Sequence, residues 1–240
     1  MTARHYAETL NRIRDENTEA GNPVPLYFCT DMEGNPSMDY SPFGMVSMPH
    51  PMNLAAAGDP GLCRRVAHTT GPQIRAAGIN WLHSPVLDVN TVPDNPEIGT
   101  RSYGNDPDTV ARFARETLRG FDEAGVIATG KHFPGRGESS EDVHFGLATI
   151  DADRARMEKV HLAPYRALIE AGLPTIMLAH SVFPALDPSG EVATVSRTVI
   201  EDLLRGELGF TGVVMTASFT MGGLIARYPV GEAAVKAIAA

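Results

Sequence analysis

Two apolar patterns alternate along the chain: stretches with apolar residues three and four apart, and short unbroken apolar runs. Residues 106–124 are the clearest case of the first, with Val110, Phe113, Ala114, Thr117, Leu118 and Phe121 on one helical face. Asp106 supplies a cap, Pro107 suits the first helical position, and Gly125 supplies the stop. The run VIATG that follows predicts a strand. The same order recurs as a helix around 60–77, Gly78 and INWLHSPVLDV, and as a helix around 153–171, Gly172 and LPTIMLAH. It recurs again as a helix around 197–208 (Val199, Ile200, Leu203, Leu204, Leu208), Gly209 and GVVMT. PVPLYFCT at 23–30 opens the series, and the N- and C-terminal stretches MTARHYAETLNRIRDE and GEAAVKAIAA are helix-patterned. Pro164 predicts a kink or two helices within 153–171.

The stopping glycines 78, 125 and 172 are separated by 47 positions each time, which reads as a repeated βα unit with long loops. Five short, continuously apolar strands suit a parallel sheet covered on both faces. The expected fold is α/β, a (βα)8 TIM-barrel-like arrangement over a single domain at 1–240, with a doubly wound sheet as the alternative. A complete eight-stranded barrel usually needs about 250 residues with compact loops. Long loops and five strands therefore predict an incomplete barrel or a fragment of a longer one.

Polar residues fall where the strands end: Asp31 and Glu33, Asp88, Lys131 and His132, His180, then Thr216, Ala217 and Ser218. Parallel α/β folds place their chemistry at the C-terminal ends of strands. Five consecutive ends carrying ionisable or hydroxyl groups favour the active-site face of a barrel.

Composition narrows the class. With 20 Lys+Arg against 29 Asp+Glu, the net charge is −9, and no basic run offers a nucleic-acid phosphate backbone a footing. No stretch approaches the roughly 18 apolar residues of a membrane span, and the polar N-terminus is unlike a signal peptide. Cys29 and Cys63 lack CxxC spacing, which excludes a zinc ribbon or disulfide scaffold and suits a reducing, cytoplasmic setting. No motif for a metal, nucleotide or other cofactor is present; KHFPGRG lacks the GK[ST] of a P-loop.

Within KHFPGRGESSEDVHFGL (131–147), Asp142 and His144 stand two apart on a Gly-containing loop. A carboxylate beside an imidazole fixes its tautomer and raises its basicity, as a general acid/base needs. A solvated loop with an incidental pair reads the same way from these two residues alone. Arg101 and Asp88, taken singly, fit a structural ion pair as well as they fit ligand binding.

The longer motif resembles the KHFPGHGDTxxDSH signature of glycoside hydrolase family 3, in its β-N-acetylglucosaminidase branch. TDMEGN (30–35), SPVLDVNTVPDNPEIGTRSYGNDP (84–107), LAHSVFPALDP (178–188) and LLRGELGFTGVVMTASFTMGG (203–223) are similar to further family motifs, in family order. The resemblance implies a barrel that cleaves a glycosidic bond with retention. It implies Asp88, Arg101, Lys131 and His132 as holders of the terminal sugar, with Asp31 at the opposite wall. His180, at its strand end, is expected either to face the site and contact substrate or to be a packed, hydrogen-bonded histidine. It implies His144, oriented by Asp142, as the acid/base in place of a second carboxylate. Met221 and Phe219 are expected to pack the barrel, and Glu33 to support its loop.

Two departures stand out. The nucleophilic Asp of the family motif is Ala217 here, and alanine cannot form a glycosyl ester. Ser218 has no evident base and is expected to point elsewhere on the strand. After Glu33, the family's second Gly and a downstream Arg are replaced by Asn35 and a run without Lys or Arg. The expectation is a retaining exo-glycosidase for terminal β-N-acetylhexosaminides with a disabled nucleophile. A β-glycoside phosphorylase and a non-catalytic sugar-binding protein are the alternatives. The expected partner is a small carbohydrate, not nucleic acid or a membrane.

Overall fold

The computed structural model describes residues 2–34 and 46–240, so Asn35 and the run after it lie outside the described residues. In chain order, α1 (Ala3–Glu19) leads to β1 (Cys29–Thr30), α2 (Pro51–Ala56), α3 (Pro60–Ala76) and β2 (Trp81–Leu82). Next come α4 (Pro107–Glu123), β3 (Ile127–Phe133), β4 (Ala148–Thr149), the short α5 (Arg154–Arg156) and a π-helical turn at Met157–His161. The remainder is α6 (Ala163–Glu170), β5 (Thr175–Leu178), β6 (Ser181–Val182), a π-helical segment Thr198–Glu207, β7 (Val213–Thr216), α7 (Gly222–Ile225) and α8 (Val230–Ala239).

The main sheet runs β1-β2-β3-β5-β7, every pair parallel. Spatial order follows chain order without reversal, so the winding is that of a barrel and excludes the doubly wound alternative. The sheet is a curled, incomplete barrel: among the described residues, no strand pairs with the outer edge of β1 or β7. β4 and β6, unanticipated from the sequence, form a separate parallel pair.

Helix boundaries match the expected signals. Asp106 caps α4 by accepting the Thr109 N–H at 2.8 Å, and Gly78, Gly125, Gly172 and Gly209 take positive φ where helical stretches stop. Pro164 begins a second helix rather than kinking one. Buried Cys63, Ala67 and Ile74 of α3 join Val110, Phe113, Leu118 and Phe121 of α4 in the main core outside the sheet. Gly120 permits the closest approach of these helices, since a Cβ there would strike the Arg64 carbonyl.

Two strands are shorter than expected. Pro23 and Pro25 cannot donate ladder hydrogen bonds, so β1 starts only at Cys29, after the Phe28 N–H donates to Asn80 Oδ1. β2 ends at Leu82, making His83 the first residue after it, and pairing with β3 resumes irregularly through Ser84, Pro85 and the Val86–Lys131 bridge. The segment 197–208, expected as an α-helix, is π-helical instead, with the Leu208 N–H reaching the Leu203 carbonyl at 2.9 Å. No helix among the described residues is long and apolar enough to cross a membrane.

Candidate active site

A cavity of about 500 Å³ opens at the C-terminal ends of the main strands. Asp31, His83, Arg101, Lys131, His132 and Arg136 line one side; Met177, Thr216, Ala217, Ser218, Thr220 and Met221 line the other, with His144 also at the rim. Asp31, Lys131, His132 and Ala217 thus meet as the strand-end pattern predicts.

On the first side, opposite charges alternate through the fold. Lys131 reaches Asp31 Oδ1 at 2.6 Å and also pairs with Glu33. Arg101 grips Glu33 with Nε at 2.6 Å and Nη2 at 3.0 Å, a bidentate pair in which Glu33 is fully buried. Arg101 Nη1 lies 3.6 Å from Glu97 Oε1, and Arg136 Nη2 lies 2.5 Å from the same oxygen. Glu33 therefore ties Arg101 and Lys131 together rather than merely supporting a loop.

Asp88 and His132 form a second, deeper pair. His132 Nδ1 is 2.7 Å from Asp88 Oδ2, and the Arg136 backbone N–H donates to Oδ1 at 2.7 Å. Arg101 Nη2, which can only donate, lies 3.5 Å from His132 Nε2. His132 is therefore the neutral tautomer with its proton on Nδ1, held towards Asp88. Asp88 itself is completely buried behind His132 and does not line the cavity. Its two oxygens are engaged by His132 and by the Arg136 backbone. Asp31, expected at the opposite wall, instead lies beside Lys131.

Burial and neighbours set the charges. Burial raises Asp88 to about 6 against the pull of Arg136, and it lowers His132 well below 6.5, with Arg136, Arg101 and Lys131 adding to the effect. Burial opposes ionisation of Glu33, but Lys131 and Arg101 outweigh it and hold that carboxyl at about 2. Asp31 is lowered in the same way, against burial, by His83 and Lys131.

The loop after β3 is seated by Gly137, where a Cβ would strike the Val89 carbonyl. Farther along, Asp142 Oδ1 accepts the His144 backbone N–H at 2.9 Å and lies 2.7 Å from His144 Nδ1. The expected dyad is present, with the His144 side chain 44% exposed at the cavity. Glu97, Asp142 and His144 bring three possible metal-ligating atoms within 4.8 Å of one another. Arg136 Nη2 approaches the same Glu97 oxygen as an ion-pair partner.

His180 takes the packed, hydrogen-bonded alternative. It is fully buried, with Nδ1 2.7 Å from Thr194 Oγ1 and Nε2 donating to the Ser218 carbonyl at 3.0 Å. Burial lowers it to about 4, so it is a neutral brace under the 217–218 turn. Met221 and Ser218, expected away from the cavity, line it; Phe219 packs against the Val182–Leu224 cluster as anticipated.

The sequence reading missed His83, Glu97 and Arg136. His83 directly follows β2, in the middle of the apolar run expected as strand through Val89. Arg136 stands inside the KHFPGRG motif, whose glycines are the stronger local signal.

A curled parallel sheet with its polar cavity at the strand C-termini is a barrel-class α/β protein. The chain belongs to the family described as the glycosyl hydrolase family 3 N-terminal domain, which it matches over residues 2–240. It is 33% identical to a beta-N-acetylglucosaminidase/beta-glucosidase of Cellulomonas fimi, covering 100% of this chain and 43% of that protein. It is 36% identical to a beta-hexosaminidase of Stenotrophomonas maltophilia, covering 87% of this chain and 64% of that protein. The solved family 3 beta-N-acetylglucosaminidase of Paenibacillus sp. FPU-7 superposes with TM-score 0.95 at 42% identity, over 100% of this chain and 45% of that one. The chain thus spans roughly two-fifths to two-thirds of these relatives' lengths.

Proposed function

We propose that this chain carries the sugar-binding and acid/base machinery of a retaining exo-glycosidase for terminal β-N-acetylhexosaminides, without its carboxylate nucleophile. The observation that supports this reading is one cavity gathering Asp31, Arg101, Lys131, His132 and His144 around the Ala217 position. Asp31 is the acid of the charged side with an open face: its side chain is 36% exposed, against 0% for Glu33 and Asp88 and 4% for Glu97. Asp31 accepts a sugar hydroxyl, while Lys131 and Arg101 donate charge-assisted hydrogen bonds to others. The β-N-acetylhexosaminide preference rests on the names of the relatives.

In the complete reaction, a carboxylate at position 217 attacks the anomeric carbon as the bond to the leaving oxygen breaks. His144, with Nδ1 engaged by Asp142, delivers a proton from Nε2 to that oxygen. The same nitrogen then takes a proton from the water that displaces the sugar from the ester. Ala217 supplies no electron pair for the first step, so this chain binds sugar and does not turn it over. Incubating the chain and its Ala217→Asp variant with an aryl β-N-acetylglucosaminide, with and without phosphate, tests the reading. Release of free N-acetylglucosamine by the variant alone is expected. A sugar phosphate formed only in phosphate would assign a phosphorylase instead, and full activity of the unaltered chain would refute the role of position 217.

A further inference from the structure

One charged group at the cavity has no part in the reaction above. His83 directly follows β2, and its Nδ1 lies 3.5 Å from Asp31 Oδ2. Lys131, on β3, sits 2.6 Å from the other oxygen, Oδ1. Both oxygens of Asp31 are thus approached by nitrogen bases from two neighbouring strands. The His83 side chain is only 13% exposed, and its buried Nε2 has no hydrogen-bond partner among the described residues.

Lys131 is shared between Asp31 and Glu33, and Arg101 between Glu33 and Glu97, so neither cation belongs to Asp31 alone. His132 is neutral and contributes no charge. His83 stands beside the acid that faces the cavity.

We propose that His83 is a cationic positioning residue of the sugar site, fixing the Asp31 carboxylate in one orientation for the hydroxyl it receives. The proposal rests on the sugar-binding reading above and assigns His83 no direct contact with the reacting atoms. The ionisable groups that face the imidazole are Asp31 and Cys29 from β1 and Lys131 from β3. Burial disfavours the imidazolium and Lys131 repels it, but Asp31 and the Cys29 thiol outweigh both and raise His83 to about 9. The same imidazolium lowers the Cys29 thiol, which is why the test is run with Cys29 replaced.

The experiment uses the Cys29→Ser chain and its His83→Gln and His83→Lys derivatives. Imidazole NMR, with the His83 signal assigned by its loss in His83→Gln, follows the ring from pH 6 to 10. Calorimetry follows N-acetylglucosamine binding over the same range. The His83 ring is expected to titrate above its ordinary 6.5 and affinity to fall about tenfold through that titration. His83→Gln is expected to bind about tenfold more weakly with no such break, and His83→Lys to recover most of the loss at neutral pH. A ring already neutral at pH 7.5, or His83→Gln binding with the parent's affinity and pH profile, overturns the proposal alone. Absence of binding by the parent at every pH overturns the sugar reading, and the positioning role with it.

Discussion

The two sides of the cavity are built from opposite chemistries. The β1–β3 side carries Asp31, His83, Arg101, Lys131, His132 and Arg136, linked by ion pairs to the buried acids Glu33 and Glu97. The β5–β7 side carries Met177, Thr216, Ala217, Ser218, Thr220 and Met221, with no charge on any of them. On the first side each charge is held by another, so removing one strands its partner. On the second, an uncharged side chain can change without stranding a partner. We therefore propose that recognition and bond cleavage are separable here, the first distributed over the network and the second dependent on position 217.

The largest structural effect is expected from Lys131→Met. It leaves Asp31 and buried Glu33 without the ammonium they share, and breaking a buried pair by removing one partner costs about 3–5 kcal/mol. Denaturant unfolding should show that loss together with the disappearance of sugar binding. Loss of binding at unchanged stability would contradict the network account.

Gly137→Ala comes next. The added Cβ meets the Val89 carbonyl, so the loop bearing Asp142 and His144 must shift or the fold must yield. Destabilisation of roughly 1–3 kcal/mol is expected for such overpacking, read by thermal unfolding.

The dependence on pH sharpens the comparison, because the ionic side alone carries these shifts. Glu33 lies below its ordinary 4.5, at about 2, so its contribution is present above 4.5 and is lost as pH falls through 2. His83 lies above its ordinary 6.5, at about 9, so its contribution is present below 6.5 and is lost as pH rises through 9. Asp88 acts against stability in the middle of the range: raised from 3.8 to about 6, it favours folding below 3.8 and ceases to as pH rises through 6. Unfolding free energy measured from pH 2 to 10 should fall at both extremes. His83→Gln should flatten the alkaline limb and leave the acid limb in place.

The smallest effect is expected on the other side. Ser218→Ala removes a hydroxyl whose partner at 2.9 Å is the exposed Thr220 Oγ1, and stability should change by less than about 0.5 kcal/mol. A larger change would mean that the uncharged side is also a network.

The two sides also differed in how far they could be read from sequence. The βα repeat, the helix caps and the stopping glycines are local signals, and they located the strand ends that bear Asp31, Lys131 and Ala217. Glu33, Glu97 and Arg136 meet only in three dimensions: Arg101 reaches a carboxylate 68 positions away, and no local period announces that. His83 was hidden by a different cause. It stands in the middle of an apolar run that continues to Val89, and Ser84, Pro85 and Leu87 still exchange hydrogen bonds with β3 beyond it, so no local signal sets His83 apart. His180 was read correctly as a strand-end residue, yet its packing against Thr194 and the Ser218 carbonyl makes it a brace.

The separation of binding from cleavage is tested most directly by measuring both on the same pair of proteins. N-acetylglucosamine is titrated calorimetrically into the chain and its Ala217→Asp variant, and each is assayed for leaving-group release from an aryl β-N-acetylglucosaminide. The account predicts dissociation constants within about threefold of each other. It predicts turnover at least about ten-thousand-fold higher in the variant, since loss of one member of a catalytic set removes most of an enhancement that commonly exceeds a million-fold. A variant that binds the sugar as the chain does, yet gains no turnover with or without phosphate, would contradict it.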